Sequence, residues 1–274
     1  MLSAEAIRQF SAPPGLLRDR VIAVTGAGDG IGRALALAAG RLGAQVVLIG
    51  RTVRRLEAVH GEIAAKAGAG EASIAPLDLE QALAGDYDRL AGAVMERYGR
   101  LDGLVHNAAA LGTVAPIEHT EMLSWCRVLH VNLTAAFALT QVLLPALRAS
   151  ADASVIFTSS GVGRRGRANW GAYAVSKFGV EALSQVLADE LAGNSSVRVN
   201  ALNPGPTRTR MRRQAFPGED PASLPEPAAI LGPYLWLLGP ESRGVTGQSL
   251  DCQAPPQPRQ EPVRQQPARQ EPAR

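Results

Sequence analysis

Tyr173 and Lys177 stand four residues apart in the stretch Tyr173-Ala174-Val175-Ser176-Lys177, inside a segment with helical apolar spacing. That separation puts both side chains on one helix face, within reach of a common site. A phenol with an ordinary pKa near 10 is a poor base at neutral pH. A neighbouring ammonium favours the phenolate and brings such a hydroxyl toward the range useful for proton transfer. Lysine is scarce here: of 28 basic residues only Lys66 and Lys177 are lysine. With so few lysines and only four tyrosines, chance would produce this spacing about 3% of the time, so the pair is read as functional. Upstream, Phe157-Thr158-Ser159-Ser160-Gly161 ends an apolar run in hydroxyls. A serine at such a strand end can stabilise charge developing on a substrate oxygen.

A second constellation is Thr25-Gly26-Ala27-Gly28-Asp29-Gly30-Ile31-Gly32, which follows the apolar run 21–25 and opens a helical segment. The chain there must turn sharply, bring backbone amides close to an anion and pack a helix start on a strand, and each task favours glycine. Alone, such glycines would make a structural loop; between a first strand and a helix they read as a dinucleotide site. A site for NAD(H) places an acid about 20 residues later, on the ribose 2′-hydroxyl. Here Ile49-Gly50-Arg51-Thr52 stands in that region, with no acid before Glu57. A carboxylate would repel a 2′-phosphate, whereas a guanidinium holds it bidentately. Arg51, with Arg54 or Arg55 beside it, therefore points to NADP(H), with NAD(H) the alternative.

Strands and helices must carry these groups. Short apolar or β-branched runs occur at 21–25, 45–49, 72–76, 103–106, 154–158, 198–202 and 248–252. Helical spacing occupies 30–41, 54–67, 83–98, 121–148, 172–191 and 228–238. Continuous apolar runs without alternation indicate a sheet covered on both faces. Regular alternation of strand and helix then predicts an α/β fold, a Rossmann-like doubly wound parallel seven-stranded sheet in one domain over 20–252. Residues 1–19 read as an N-terminal leader. Residues 253–274 repeat Pro, Arg, Gln and Glu with almost no apolar content, which predicts a disordered, solvated tail.

Composition narrows the functional classes. The first twenty residues lack a signal-peptide apolar core, and the continuous apolar runs are short, so a cytoplasmic chain with no membrane contact is expected. Cys126 and Cys252 are far apart, and His60, His106, His119 and His130 show no metal-ligand spacing; no metal site is expected. A formal net charge of +3 with 4% aromatic residues does not suit nucleic-acid binding. Specificity loops are expected at 111–118, 163–170 and 207–225, beyond the strand ends. Their arginines, such as Arg164, Arg210 and Arg213, read as a solvated face before an anionic-substrate site.

Taken in order, Thr25-Gly26-x-x-x-Gly30-Ile31-Gly32, His106-Asn107-Ala108-Ala109, Asn132, Ser160, Tyr173-x-x-x-Lys177 and Asn203-Pro204-Gly205 resemble the short-chain dehydrogenase/reductase family over residues 18–252. The stretches 162–173 and Tyr234-Leu235-Trp236-Leu237 are similar to its bacterial YciK-type oxidoreductase branch. The resemblance implies hydride transfer between a nicotinamide and an alcohol or carbonyl substrate, with Tyr173 as general acid/base. It implies that Lys177 lowers the tyrosine pKa and binds the nicotinamide ribose, that Ser160 positions the substrate oxygen, and that Asn132 holds a relay water. For the cofactor it implies Thr25, Gly26, Gly28, Asp29, Gly30, Ile31, Gly32 and Arg51, then Asp78 and Leu79 at the adenine. Asn107 and Ala108 would line the cleft, and Pro204, Gly205 and Thr207 would serve the nicotinamide end. Asp29 departs from the pattern, since NADP-dependent members often carry a basic residue there. A homodimer or homotetramer is implied by the long helices 121–148 and 172–191. The rival reading is a catalytically inactive nucleotide-binding regulatory or scaffold protein of the same fold.

Overall fold

The structure, a computed structural model, describes residues 3–66 and 68–254; the expected disordered tail therefore falls almost wholly outside the described residues. Seven strands, β1 (Val21–Thr25), β2 (Gln45–Gly50), β3 (Ala72–Pro76), β4 (Gly103–His106), β5 (Ser154–Thr158), β6 (Arg198–Asn203) and β7 (Ser249–Asp251), alternate with helices. The helices are α1 (Ala4–Arg8), α2 (Gly30–Arg41), α3 (Val53–Ala64), α4 (Ala84–Tyr98), α5 (Met122–Leu129), α6 (Ala135–Arg148), α7 (Gly171–Leu191), α8 (Arg210–Ala215) and α9 (Gly232–Leu238). All strand pairs are parallel, in the order β3-β2-β1-β4-β5-β6-β7. Each residue of β1 and β5 is buried, because helices cover both faces and leave no polar side to alternate with. The strand order reverses between β1 and β4, and a crevice opens there beyond the strand ends. That crevice is where the chemistry-bearing residues gather.

Two apolar layers fill the space between sheet and helices, one centred on Leu35, Leu48, Leu56 and Trp236 and the other on Leu104, Leu139, Phe157 and Val180. The leader folds back on the first layer: Ile7 and Leu17 are buried in it, and Leu17 N–H donates to Leu42 C=O at 3.1 Å. The segment 122–148 is long and apolar enough by composition to cross a bilayer, which the short-run criterion had not flagged. It packs instead on α4 and α7, with Leu139, Leu143 and Leu147 fully buried.

That segment is not the uninterrupted α-helix its periodicity predicts. His130–Thr134 forms a π-helical turn between α5 and α6. The cause is tertiary. Asn132 Oδ1 accepts from Ala110 N–H at 2.7 Å, while Asn132 Nδ2 donates to Ala110 C=O at 2.9 Å and to Ser176 Oγ at 3.0 Å. A helix pulled sideways by such a side-chain clamp accommodates one extra residue in the turn. The predicted helix 228–238 also divides, into a 3₁₀ turn (Pro227–Ile230) and α9, since Pro233 lacks an N–H and restarts the helix at its first turn.

Candidate active site

β1 ends at Thr25, whose hydroxyl accepts from Asn107 and Ala108 N–H at 2.9 and 3.0 Å and donates to Val105 C=O at 3.3 Å. This hydroxyl fastens the ends of β1 and β4, and Thr25 lines the cleft beside the glycine turn. Gly26 follows at φ +68°, in the left-handed region that side chains disfavour. Gly32 is held by space: a Cβ there would lie 2.4 Å from Gly26 O and 2.5 Å from Asn107 Nδ2. Gly32 therefore packs the helix start and does not line the cleft. Gly32→Ala is expected to destabilise the protein by about 1–3 kcal/mol, the cost of overpacking, as read by chemical denaturation. A variant as stable as wild type would show that the turn relaxes without cost.

Asp29 caps α2, accepting from Gly30 N–H at 2.8 Å, and its other oxygen lies 2.8 Å from Arg55 Nη1. The acid that departs from the family pattern is thus neutralised by a guanidinium. Arg51 is exposed at the end of β2, 3.9 Å from Glu80 Oε2, and Glu80 also accepts Arg127 Nε at 2.8 Å. A cleft of about 930 Å³ runs from this rim past Gly26, Gly28 and Gly30, along Asp78 and Leu79, and between Asn107 and Ala108 to Tyr173, Lys177 and Pro204. Its length joins a basic rim to the tyrosine, the shape an elongated dinucleotide requires.

At the far end Tyr173 is half-buried on α7, edge-on to Trp170 with ring centroids 5.8 Å apart. Phe216 closes the aromatic wall, 5.6 Å from Trp170 and covered by Arg212 at 3.8 Å. Lys177 Nζ lies 5.6 Å from the Tyr173 ring centre and donates to Thr158 C=O at 2.6 Å. Burial pushes the Tyr173 hydroxyl up to about 12, and a hydrogen bond with Ser160 draws it partly back. Burial likewise lowers Lys177 to about 8, opposed by the Glu181 carboxylate. The expected lowering of the tyrosine by the lysine is therefore not present in this state: desolvation dominates for both groups.

Ser160 stands beside the phenol, whereas Ser159 is buried with its hydroxyl donated to Glu181 at 2.5 Å. Of the two serines it is Ser160, the one the resemblance implies, that reaches the phenol. Asn132 is buried beside this site, its side chain donating both amide hydrogens and accepting one bond at a carbonyl oxygen that can take two. Thr207 is a correction. It is buried with its hydroxyl donated to Gly205 C=O at 3.2 Å, because Gly205 turns the chain at φ +71°. Neither Gly205 nor Thr207 lines the cleft. Thr209 does, beside Gly30 and at the N-cap of α8, and the sequence reading missed it. His106 is buried, stacked on Phe157 at 4.8 Å and hydrogen-bonded to Thr140 at 2.7 Å. Thr140 donates its own proton to Ala136 C=O, so the imidazole Nε2 is the donor. Burial, and then the Lys177 charge, lower its pKa to about 3, so it stays neutral.

A doubly wound sheet with a glycine turn at its switch point and a Tyr–Lys pair facing the same crevice defines a nucleotide-dependent oxidoreductase class. The short chain dehydrogenase profile matches residues 20–220. The uncharacterized oxidoreductase YciK of Escherichia coli (strain K12) is 49% identical over 238 residues, covering 87% of this chain and 93% of that one. Among solved structures, a Pseudomonas syringae protein assigned to the short chain dehydrogenases is 52% identical at a TM-score of 0.87, covering 89% of this chain and 98% of its own. A short chain dehydrogenase from Escherichia coli CFT073, complexed with NADPH, is 49% identical at a TM-score of 0.84, with 88% and 100% covered. The chain belongs to the short-chain dehydrogenase/reductase family of oxidoreductases.

Proposed function

We propose that this protein is an NADP(H)-dependent oxidoreductase that moves hydride between the nicotinamide and an alcohol or carbonyl substrate, with Tyr173 as general acid/base. The observation that carries this reading is that Tyr173, hydrogen-bonded to Ser160, and Lys177 line one end of a cleft whose other end is the glycine turn and its basic rim. The NADPH complex of the Escherichia coli relative supports the choice of cofactor.

The residues present fit such a dinucleotide. Gly26, Gly28 and Gly30 would hold the pyrophosphate at the start of α2, and Arg51 with Arg55 the 2′-phosphate. Asp78 and Leu79 would flank the adenine, and Asn107, Ala108, Pro204 and Thr209 the remainder. When bound, the cofactor supplies or accepts the hydride. In the reducing direction the Tyr173 hydroxyl donates its proton to the substrate oxygen, and Ser160 fixes that oxygen by a hydrogen bond that strengthens as charge develops. Lys177 binds the ribose and, as a cation, favours the tyrosinate left behind. Asn132 shapes the π turn that seats Ala110 and Ser176. The exposed apolar side chains Met122, Leu123, Phe137, Phe178 and Val186 on α5, α6 and α7 support a second copy covering this face as a homo-oligomer. Cytoplasmic location remains part of the same proposal.

NADPH oxidation against a panel of cyclic and acyclic ketones, with Tyr173→Phe as control, tests the reading. Turnover by wild type alone is expected; equal inertness of both, with NADPH still bound, would favour the scaffold alternative. Arg51→Asp is expected to weaken NADPH binding about 10–100-fold and leave NADH binding unchanged or tighter, the scale of one or two charge-assisted hydrogen bonds lost. Equal weakening of both nucleotides would remove Arg51 from 2′-phosphate recognition.

A further inference from the structure

Glu181 lies one helical turn after Lys177 on α7, so the two share a face, and both are buried, at 7% and 3% exposure. A carboxylate is placed in such surroundings only when donors compensate its lost hydration. Here three do so, each from a different part of the chain. Ser159 at the end of β5 donates at 2.5 Å, Arg164 Nε after the turn Gly161–Gly163 at 3.1 Å, and Ser249 of β7 at 2.6 Å. Arg164 extends the network, with Nη1 at 2.9 Å from both oxygens of Asp251 and Nη2 donating to Leu250 C=O at 2.7 Å. The Gly161–Gly163 turn also presses directly on the lysine: a Cβ on Gly163 would lie 2.8 Å from Lys177 Cβ. The neighbour of Ser160, the turn after it and the backbone of Lys177 are therefore gathered around one carboxylate.

We propose that Glu181 is a positioning residue of the reaction, acting on Lys177 by charge and on Ser160 through the Ser159 strand end that it grips. This rests on the catalytic reading of Tyr173, Lys177 and Ser160. The groups facing Lys177 make the electrostatic half concrete. Tyr173 on its own helix is a neutral phenol, His106 from β4 is a neutral imidazole, and Arg164 is paired with both Glu181 and Asp251. Glu181 is the anion that opposes the desolvation of the ammonium. A strongly buried cation with no such partner gives up its proton.

The test is the pH dependence of NADPH affinity, followed by fluorescence titration from pH 6 to 10 in wild type, Glu181→Gln and Glu181→Asp, with thermal melts alongside. Affinity is expected to fall as the lysine loses its charge, and that edge is expected to move to lower pH by about one unit in Glu181→Gln. Glu181→Asp, which keeps the charge, should restore it. An edge that stays in place while melting temperature drops would reduce Glu181 to a structural residue and overturn the proposal. If Glu181→Gln does not fold, Arg164→Gln reads the same network with the opposite sign: with its competing cation gone, Glu181 should raise the edge, and an unmoved edge overturns the proposal equally. Inertness of wild type toward every ketone, with the edge still shifting in Glu181→Gln, would sink the catalytic reading and leave the charge coupling standing.

Discussion

Tyr173→Phe is expected to lower turnover by about 10²–10⁴-fold, the range contributed by a positioned general acid, while NADPH affinity stays within about threefold. The substitution removes one hydroxyl. The ring keeps its edge-on contact with Trp170 at 5.8 Å, and Lys177 keeps its bond to Thr158 C=O, so fold and nucleotide site should survive. The pKa values add a direction to the prediction. With the tyrosine raised to about 12 and the lysine lowered to about 8, the protonated phenol needed for carbonyl reduction is present throughout the neutral range. Reduction by wild type should therefore be level up to about pH 8 and decline above it, as Lys177 loses its charge. Alcohol oxidation starts from the disfavoured tyrosinate and should gain as pH rises toward that limit. Stopped-flow NADPH absorbance across pH 6–10 checks both. Residual activity in Tyr173→Phe equal to wild type would move proton transfer to another group.

Much of this arrangement is legible in the chain before it folds. β1, β4 and β5 occupy the residues their apolar runs mark, because a strand buried on both faces has no other way to be written, and the half-buried edge strand β3 matches its run as well; β2 and β6 each extend one residue, to Gly50 and Asn203. Tyr173, Lys177 and Ser160 are legible for a different reason, their spacing on a helix and before it. What stays hidden depends on partners distant in sequence. The π turn arises from Asn132 and Ala110, 22 positions apart, and periodicity carries no trace of it. Helix α8 is masked by surrounding prolines and arginines, although Thr209 capping Arg212 N–H at 3.1 Å was a local signal. Thr207 and Thr209 both follow the Gly205 turn, yet only Thr209, at the N-cap of α8, lines the cleft. Glu181 was in plain view four residues after Lys177, but its significance rests on Ser159, Arg164 and Ser249, which only the tertiary fold delivers.

Far from the cleft, at the opposite ends of the strands, Asp152→Ala should cause the largest loss of stability. Asp152 is 10% exposed at its side chain and stands between Arg198, 5% exposed at 3.0 Å, and Arg20, 14% exposed at 3.3 Å. Arg198 opens β6 and also donates to Leu237 C=O at 2.9 Å and Ser242 Oγ at 2.6 Å, tying α9 to the sheet. Removing the carboxylate leaves two guanidinium groups buried without their counter-charge, which costs about 3–5 kcal/mol. Against a typical stability of about 5–15 kcal/mol, that corresponds to a fall of about 10 °C in Tm. Changing Arg198 to Met in the same chain should recover part of the loss, since an absent pair is milder than a broken one. The pH dependence carries a definite sign. Burial by itself would raise the Asp152 pKa, but the charges of Arg198 and Arg20 and their hydrogen bonds outweigh it and hold it below the ordinary value. The folded pKa is thus depressed, so this stabilisation is complete above the unfolded value near 3.9 and is lost as pH falls through the folded one. The gap in Tm between wild type and Asp152→Ala should accordingly be constant from pH 7 down to about pH 4 and narrow below it. A gap that persists unchanged to pH 2.5 would mean the carboxylate contributes packing rather than charge.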